Sequence, residues 1–366
     1  MTHRLAVHAV TRRGALLGRR LADALGADLL VAEGFAAEVG ATRAFPLPMR
    51  AAVADAFRAY AGHVFVLAAG ATVRLVAPLL EDKRTDPAVV CVDEAGRFAV
   101  SLLSGHRGGA NALAADAARA IGAVPVITTA SDVQGTVAVD LLGCELGFVF
   151  EDPRGNATRA AAAVVNGDPV LVVQEAGSRA WWPDGEALPR NVVVTGSLDG
   201  ADGARFAALL VISDRAAPIP EPLLDRAVLY RPPTLAVGVG CDRGAPEAAV
   251  ERAVADALAA GGLAPASVAA VASIDLKCDE AAIVALAARI GRPLRLFPAA
   301  ALDAAPGIER PSATVQRHVG TRGVSEPAAL LAAGATRLLV PKQVHRDAAS
   351  GKSVTVAIAR IAAEAA

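Results

Sequence analysis

The chain has almost no charge of either sign in excess. Lys and Arg total 36 against 37 Asp and Glu, for a formal net charge of -1. Bulk electrostatics therefore give no support for nucleic-acid binding, and any recognition of anions has to be local. No apolar run approaches the roughly 20 residues that a membrane-spanning helix needs. The apolar stretch after Met1 is too short for a secretory signal, so a cytoplasmic protein is expected and the glycosylation-like Asn156-Ala-Thr158 carries no meaning. The four cysteines, Cys91, Cys144, Cys241 and Cys278, include no Cys-x-x-Cys pair. That excludes a zinc ribbon or a thioredoxin-like motif and leaves free thiols as the expectation. The six histidines (His3, His8, His63, His106, His318, His345) show no close pair at metal-ligand spacing, so no protein-held catalytic metal is expected. Walker A, H-E-x-x-H and G-x-S-x-G sequences are all absent. Aromatics make up only 4% of residues, which makes Trp181-Trp182 conspicuous; packing or partner contact suits that pair better than chemistry.

What is present is a globular composition, 54% hydrophobic and 20% charged over 366 residues, enough for two or three domains. Leu5–Val10 reads as a strand and Gly14–Leu25 as a helix. Arg50–Tyr60 reads as a second helix and His63–Ala69 as a strand buried on both faces. A helix follows until Pro78. Ala88–Val92 and Phe98–Leu103 read as a hairpin, followed by a helix to Ile121 and a strand at Val124–Thr128. This alternation predicts a doubly wound α/β domain with a mostly parallel sheet. Weaker strands at Val170–Gln174, Val192–Thr195 and Leu209–Ser213 and a helix at Ala157–Asn166 suggest a small α/β middle domain. Prolines in Ala216–Pro222 and Arg231–Pro233 read as linker or domain edge, after which the α/β pattern restarts at Leu235.

The richest segment is Ser101-Leu-Leu-Ser-Gly-His-Arg-Gly-Gly-Ala-Asn111. A strand ends in a glycine-rich turn bearing His106 and Arg107, and a helix begins. Helix-start N–H groups beside a cation suit an anion. Gly105, Gly108 and Gly109 would let a ligand approach the backbone; the plainer reading is a tight turn with an exposed His and Arg. In Pro78–Pro87, Lys83 and Arg84 could hold carboxylates, with Asp86 orienting them or acting as a base; the plainer reading is a solvated loop. Thr128-Thr-Ala-Ser131-Asp132 closes the next strand, at the sheet edge where open α/β sheets bind ligands. If the two strands are parallel, this segment and the His106 turn share that edge. Near the C-terminus, Ser273–Glu280 carries Lys277, and Gly320–Pro327 carries Arg322 and Glu326. Asp279 and Ser325 read there as helix N-caps. Gly238-Val-Gly240-Cys-Asp-Arg-Gly244 superficially matches a dinucleotide fingerprint, but its spacing is one residue too long and no ribose-binding acid follows.

The order of these segments resembles the cobalamin biosynthesis protein CbiG, the cobalt-precorrin-5A hydrolase family. Ala68–Arg74, Ala77–Pro87, Leu102–Asn111 and Thr128–Asp132 resemble its N-terminal domain. Gly238–Cys241, Ala272–Lys277, Gly320–Leu330 and Val354–Arg360 resemble its C-terminal domain, which stands alone as CobE. The resemblance implies domains at 1–146, 147–228 and 234–366, the last of CobE type and the middle one assigned by position. It implies hydrolysis at a carbon–carbon bond: opening of a ring-A δ-lactone and release of acetaldehyde from a cobalt-corrinoid polycarboxylate. Cobalt would arrive with the substrate, without a further cofactor. The implied partners are that corrinoid and neighbouring pathway enzymes, with neither nucleic acid nor membrane. His106 would be a general base or proton shuttle, with Asp86 and Asp132 as alternative bases. Arg74, Lys83 and Arg107 would bind acetate and propionate groups, and N–H groups around Gly108 and Gly109 an oxyanion. Gly105, Asn111 and Ser131 complete that wall, and Lys277, Arg322 and Glu326 would meet the macrocycle from the C-terminal domain. A non-catalytic corrinoid carrier is the alternative, and an unrelated nucleotide-binding enzyme a more distant one.

Overall fold

A computed structural model describes residues 4–82, 85–106, 108–129, 135–199 and 202–361, without the side chains of Ala313, Thr314 and His318. Lys83, Arg84, Arg107, Ser131 and Asp132 fall outside the described residues. The chain divides into two compact units, Met1–Leu141 and Leu142–Ala366.

The first unit starts with locally encoded boundaries. Thr11 Oγ1 accepts the Gly14 N–H at 3.0 Å and caps α1 (Arg12–Leu25); Gly26, at φ 62°, ends that helix in left-handed backbone. The remaining elements are β1 (Leu5–Ala9), β2 (Asp28–Ala32), α2 (Glu33–Ala36), β3 (Arg43–Phe45), α3 (Arg50–Phe57), β4 (Gly62–Val66) and α4 (Ala69–Val76). Then come β5 (Ala88–Val92), β6 (Phe98–Leu103), α5 (Ala110–Ile121) and β7 (Val124–Val126). The strand order is β3-β2-β1-β4-β5-β6-β7. Alternate residues of each central strand serve opposite cores. Val7, Val64 and Val90 pack under Leu17 and Leu21 of α1 and Ala114 and Ala117 of α5. Ala6, Phe65 and Val89 pack under Val53 and Phe57 of α3 and Val76 of α4. The sheet is doubly wound, as the alternating sequence implies.

One pairing decides where the functional segments lie. Neighbouring strands are parallel except β5 and β6, an antiparallel hairpin with Val89 opposite Leu103. The C-terminal ends of β6 and β7 therefore share one edge with the N-terminal end of β5. That edge is opposite the one carrying the C-terminal ends of β1 and β4.

The second unit contains two sheets. The first uses β8 (Val149–Glu151), β9 (Val170–Gln174), β10 (Val192–Thr195), β11 (Ala208–Ile212) and β12 (Ala227–Arg231) in the order β10-β9-β11-β12-β8, with α6 (Ala157–Asn166) against it. The sequence reading gives β8 and β12 no element. β12 lies between two proline clusters, yet its five residues are all buried, and Tyr230 is wholly so. The prolines, which read as linker or domain edge, bracket the strand.

The other sheet contains β13 (Leu235–Cys241), β14 (Val268–Ile274), β15 (Leu294–Phe297), β16 (Leu338–Arg346) and β17 (Ser353–Arg360) in the order β15-β14-β13-β17-β16. Helices α7 (Glu247–Ala260) and α8 (Ala281–Arg289) cover one face. Helices α9 (Ala299–Ala304), α10 (Ala313–Val319) and α11 (Ser325–Ala333) follow β15, and α11 packs on the opposite face through Ala328, Ala329 and Leu330. Gly238 is a packing requirement: a Cβ there would stand 1.9 Å from the Ser325 carbonyl oxygen. The helix pressed on the glycine is thus α11, far along the chain, whereas a dinucleotide site uses the helix following the glycine turn.

Both expected N-caps are corrected. Val324 occupies the cap of α11 and Ser325 is its first helical residue. Glu280 occupies the cap of α8, without a side-chain capping bond, while Asp279 pairs with Arg243 at 2.8 Å. Both sequences carry a genuine capping residue type, but tertiary partners set the helix starts.

Candidate functional site

The turn after β6 is built by close backbone approaches. Ser104 adopts φ 58°, left-handed backbone that a non-glycine residue rarely takes. A Cβ at Gly108 would stand 2.3 Å from the Ser104 Cβ and 3.3 Å from the Asp86 carbonyl oxygen, so only glycine fits this crossing. Gly109, at φ 84°, reverses the chain into α5. Its N–H donates to His106 O at 2.9 Å, and those of Ala110 and Asn111 to Ser104 O and Gly105 O at 3.1 and 3.0 Å. These donors are used inside the turn, so the expected oxyanion site at the Gly109 N–H is not available as the turn stands.

Asn111 holds three segments together. Ser101 Oγ donates to its Oδ1 at 2.6 Å, its Nδ2 donates to Thr129 Oγ1 at 2.7 Å, and a Cβ on Gly105 would crowd Oδ1 at 2.8 Å. It couples β6 to the segment after β7, so these two segments do share an edge. The imidazole of His106 is 19% exposed, and its Nδ1 lies 3.3 Å from Oδ1 of Asp140. Asp140 follows the buried Val137 and Val139. The sequence reading missed it, because it sits in an irregular stretch far from His106 with no local motif.

The loop before β5 reaches the same edge. Asp86 is 7% exposed, and its carboxylate accepts the Glu81 N–H at 3.1 Å and faces Arg58 Nη2 at 3.1 Å. Arg58 also donates to Leu79 O at 3.2 Å. Asp86 thus anchors the loop, and these contacts occupy the carboxylate that the sequence reading offered as a base. Arg74 is exposed and turned back along its own helix, with Nη1 donating to Gly70 O at 3.1 Å. Its guanidinium therefore points toward the start of α4 and away from the His106 edge.

In the second unit, the ends of β13 and β14 and the start of α11 border a cavity of about 650 Å³. Lys277 lines it, and its Nζ lies 2.9 Å from Glu280 Oε2. Glu280 also accepts the Gly244 N–H at 2.9 Å. Burial pushes the Glu280 carboxyl up, but Lys277 and the Gly244 N–H together outweigh it and hold it below the usual Glu range. Burial pushes the Cys241 thiol in the same wall up to about 11, which keeps it neutral and unsuited as a nucleophile. Arg322 pairs with Asp303 at 3.3 Å and is outside the lining. Glu326 is 1% exposed and accepts N–H bonds from Glu309, Arg310 and Lys342, so it fastens three segments rather than facing a ligand. Arg243, Ser325 and Lys342, which the sequence reading did not select, do line the cavity. They come from the turn after β13, the start of α11 and the middle of β16, which meet only through the sheet order. Among the described residues, no group of three His, Cys, Asp or Glu is placed to hold a metal ion, and no helix is long and apolar enough to cross a membrane.

Comparison with known proteins covers nearly the whole chain. The family described as Cobalamin synthesis G N-terminal matches residues 51–132, the Cobalamin biosynthesis central region matches 137–232, and the Cobalamin synthesis G C-terminus matches 235–359. A protein of Priestia megaterium named cobalt-precorrin-5A hydrolase is 40% identical over 83% of this chain and 80% of its own length. The Salmonella typhimurium protein of that name is 34% identical over 89% of this chain and 91% of its own length. Protein CobE of a Sinorhizobium species is 37% identical over 33% of this chain and 82% of its own length. A solved structure of a CobE protein covers 36% of this chain and 94% of its own, at 33% identity and a TM-score of 0.32. These matches establish that the chain belongs to the CbiG family of cobalamin biosynthesis proteins.

Proposed function

We propose that this protein is a cobalt-precorrin-5A hydrolase, which opens the ring-A δ-lactone of its cobalt-corrinoid substrate and releases acetaldehyde. The observation that carries the reading is 40% identity, over most of both chains, to a protein bearing that name. The His106 edge supplies the chemistry. Asp140 at Nδ1 orients the imidazole and favours its protonated form once Nε2 takes a proton from water. Water adds to the lactone carbonyl, and the ring C–O bond breaks to leave an alkoxide and a carboxylic acid, whose proton passes to solvent. The alkoxide carbon becomes the aldehyde carbon as its bond to the macrocycle breaks, the bonding pair staying with the macrocycle. His106 returns its proton within that sequence.

Lys83, Arg107, Ser131 and Asp132 stay in this proposal on sequence position, as ligands for peripheral carboxylates or, for Asp132, as an alternative base. The cobalt is part of the substrate, and no separate cofactor is invoked. We place the protein in the cytoplasm; four free thiols, two of them exposed, suit a reducing compartment. The test is acetaldehyde production from cobalt-precorrin-5A, followed by coupled reduction of the aldehyde. Turnover supports the hydrolase, and tight binding without aldehyde would make the chain a carrier.

A further inference from the structure

We propose that the cavity of the second unit binds a carboxylate of an amphipathic polycarboxylate at the N-terminus of α11, with the ligand's apolar body against Leu276 and Val344. The identity of that ligand as the corrinoid rests on the reading above; the site itself rests on four observations.

Ser325 lines the cavity, is wholly buried, and its Oγ has no hydrogen-bond partner. A buried hydroxyl left in that state is costly unless something that binds there completes it. Ser325 also opens a nine-residue helix. The first N–H of that turn to bond back is that of Ala328, to Val324 O at 3.0 Å. Pro327 has no N–H, so those of Ser325 and Glu326 precede the first bond, at the positive end of the helix. The close crossing over Gly238 fixes this helix start against the sheet before any ligand arrives. Three cations line the same cavity. Arg243 and Lys277 are balanced by Asp279 and Glu280, whereas Lys342 Nζ donates to the Arg310 carbonyl and makes no ion pair among the described residues. Finally, Leu276 and Val344 are 57% and 65% exposed on the cavity wall. Large apolar side chains beside a serine and a lysine match a ligand that is apolar in body and anionic at its rim.

The experiment measures affinity in the full chain, using cobyrinic acid, a stable cobalt corrinoid with free peripheral carboxylates, and its heptamethyl ester. Ser325→Ala is expected to weaken binding of the acid about 10-fold, to leave ester binding unchanged, and to leave the melting temperature unchanged or raised. Ser325→Asp is expected to abolish binding of the acid by placing a carboxylate where the ligand's would sit. Equal affinity of wild type and Ser325→Ala for the acid, or equal affinity of the wild type for acid and ester, would overturn the site. Acetaldehyde release is read separately. Release with Ser325-independent affinity removes the site and keeps the hydrolase; Ser325-dependent affinity without release keeps the site and removes the hydrolase.

Discussion

Single residues set the geometry of the His106 edge: Gly108 lets Ser104 and the Asp86 carbonyl approach, and Asp140 faces the imidazole. The strand, glycine turn and helix are contiguous, so Gly108 and Gly109 announce the tight geometry locally. What the glycines accommodate differs from the expectation: Gly108 clears Ser104 and the Asp86 carbonyl, and the Gly109 N–H is used by His106 O. Asp140 was not legible, because its relation to His106 exists only once the chain after β7 has returned to that edge. On this account Asp140 is a positioning residue. Asp140→Asn is expected to lower kcat about 10- to 100-fold with KM nearly unchanged, and to shift the acid limb of the pH–rate profile. An unchanged profile with an unchanged kcat would remove Asp140 from the mechanism.

At the scale of elements, strand and helix periodicity was largely informative and cap signals were not. The hairpin at β5 and β6 was legible from Asp93-Glu-Ala-Gly96 between two apolar runs, and it places the loop before β5 beside the His106 turn. β12 was hidden because its strand residues lie between prolines, and the caps of α8 and α11 shifted because Asp279 turns to Arg243 at the surface and the Ser325 carbonyl packs over Gly238. A further consequence lies in β1 and β4, whose His8 and His63 are wholly buried. His63 Nε2 donates to Phe57 O at 3.1 Å, His8 Nε2 to His63 Nδ1 at 3.0 Å, and His8 Nδ1 has no partner. Burial lowers both, His63 to about 4, and their mutual repulsion lowers His8 further. Because the folded values lie below the unfolded 6.5, the unfolded state binds protons first as the pH falls. The first unit should hold its full stability above that value and lose roughly 3 kcal/mol to His63 alone by pH about 4. Denaturant titrations across this window check it; His8→Leu with His63→Leu should flatten the acid loss, and an equal loss in the variant would exclude the pair as its source.

For the molecule as a whole, the α/β class was legible from alternating strands and helices, and the family from motifs that run in order through Ala68–Asp132 and Gly238–Arg360. The three sheets required coordinates, since strands distant in sequence complete each of them. In the second unit the two sheets meet at Asp214, which is 1% exposed. Its carboxylate receives Arg360 Nε and Nη2, both at 2.7 Å, and Thr234 Oγ1 at 2.8 Å. Removing one member strands the others, so Asp214→Ala is expected to destabilise the second unit by about 3 kcal/mol in urea unfolding; a change under about 0.5 kcal/mol, the usual size for a surface substitution, would deny the tie its role.

We propose hydrolysis of the corrinoid at the His106 edge as the step on which the rest depends. It is tested most directly by a single turnover of cobalt-precorrin-5A with protein in excess. The account predicts one equivalent of acetaldehyde from the wild type and a rate lower by about 100-fold or more with His106→Ala. Full-rate release by His106→Ala, or none by the wild type, would contradict it.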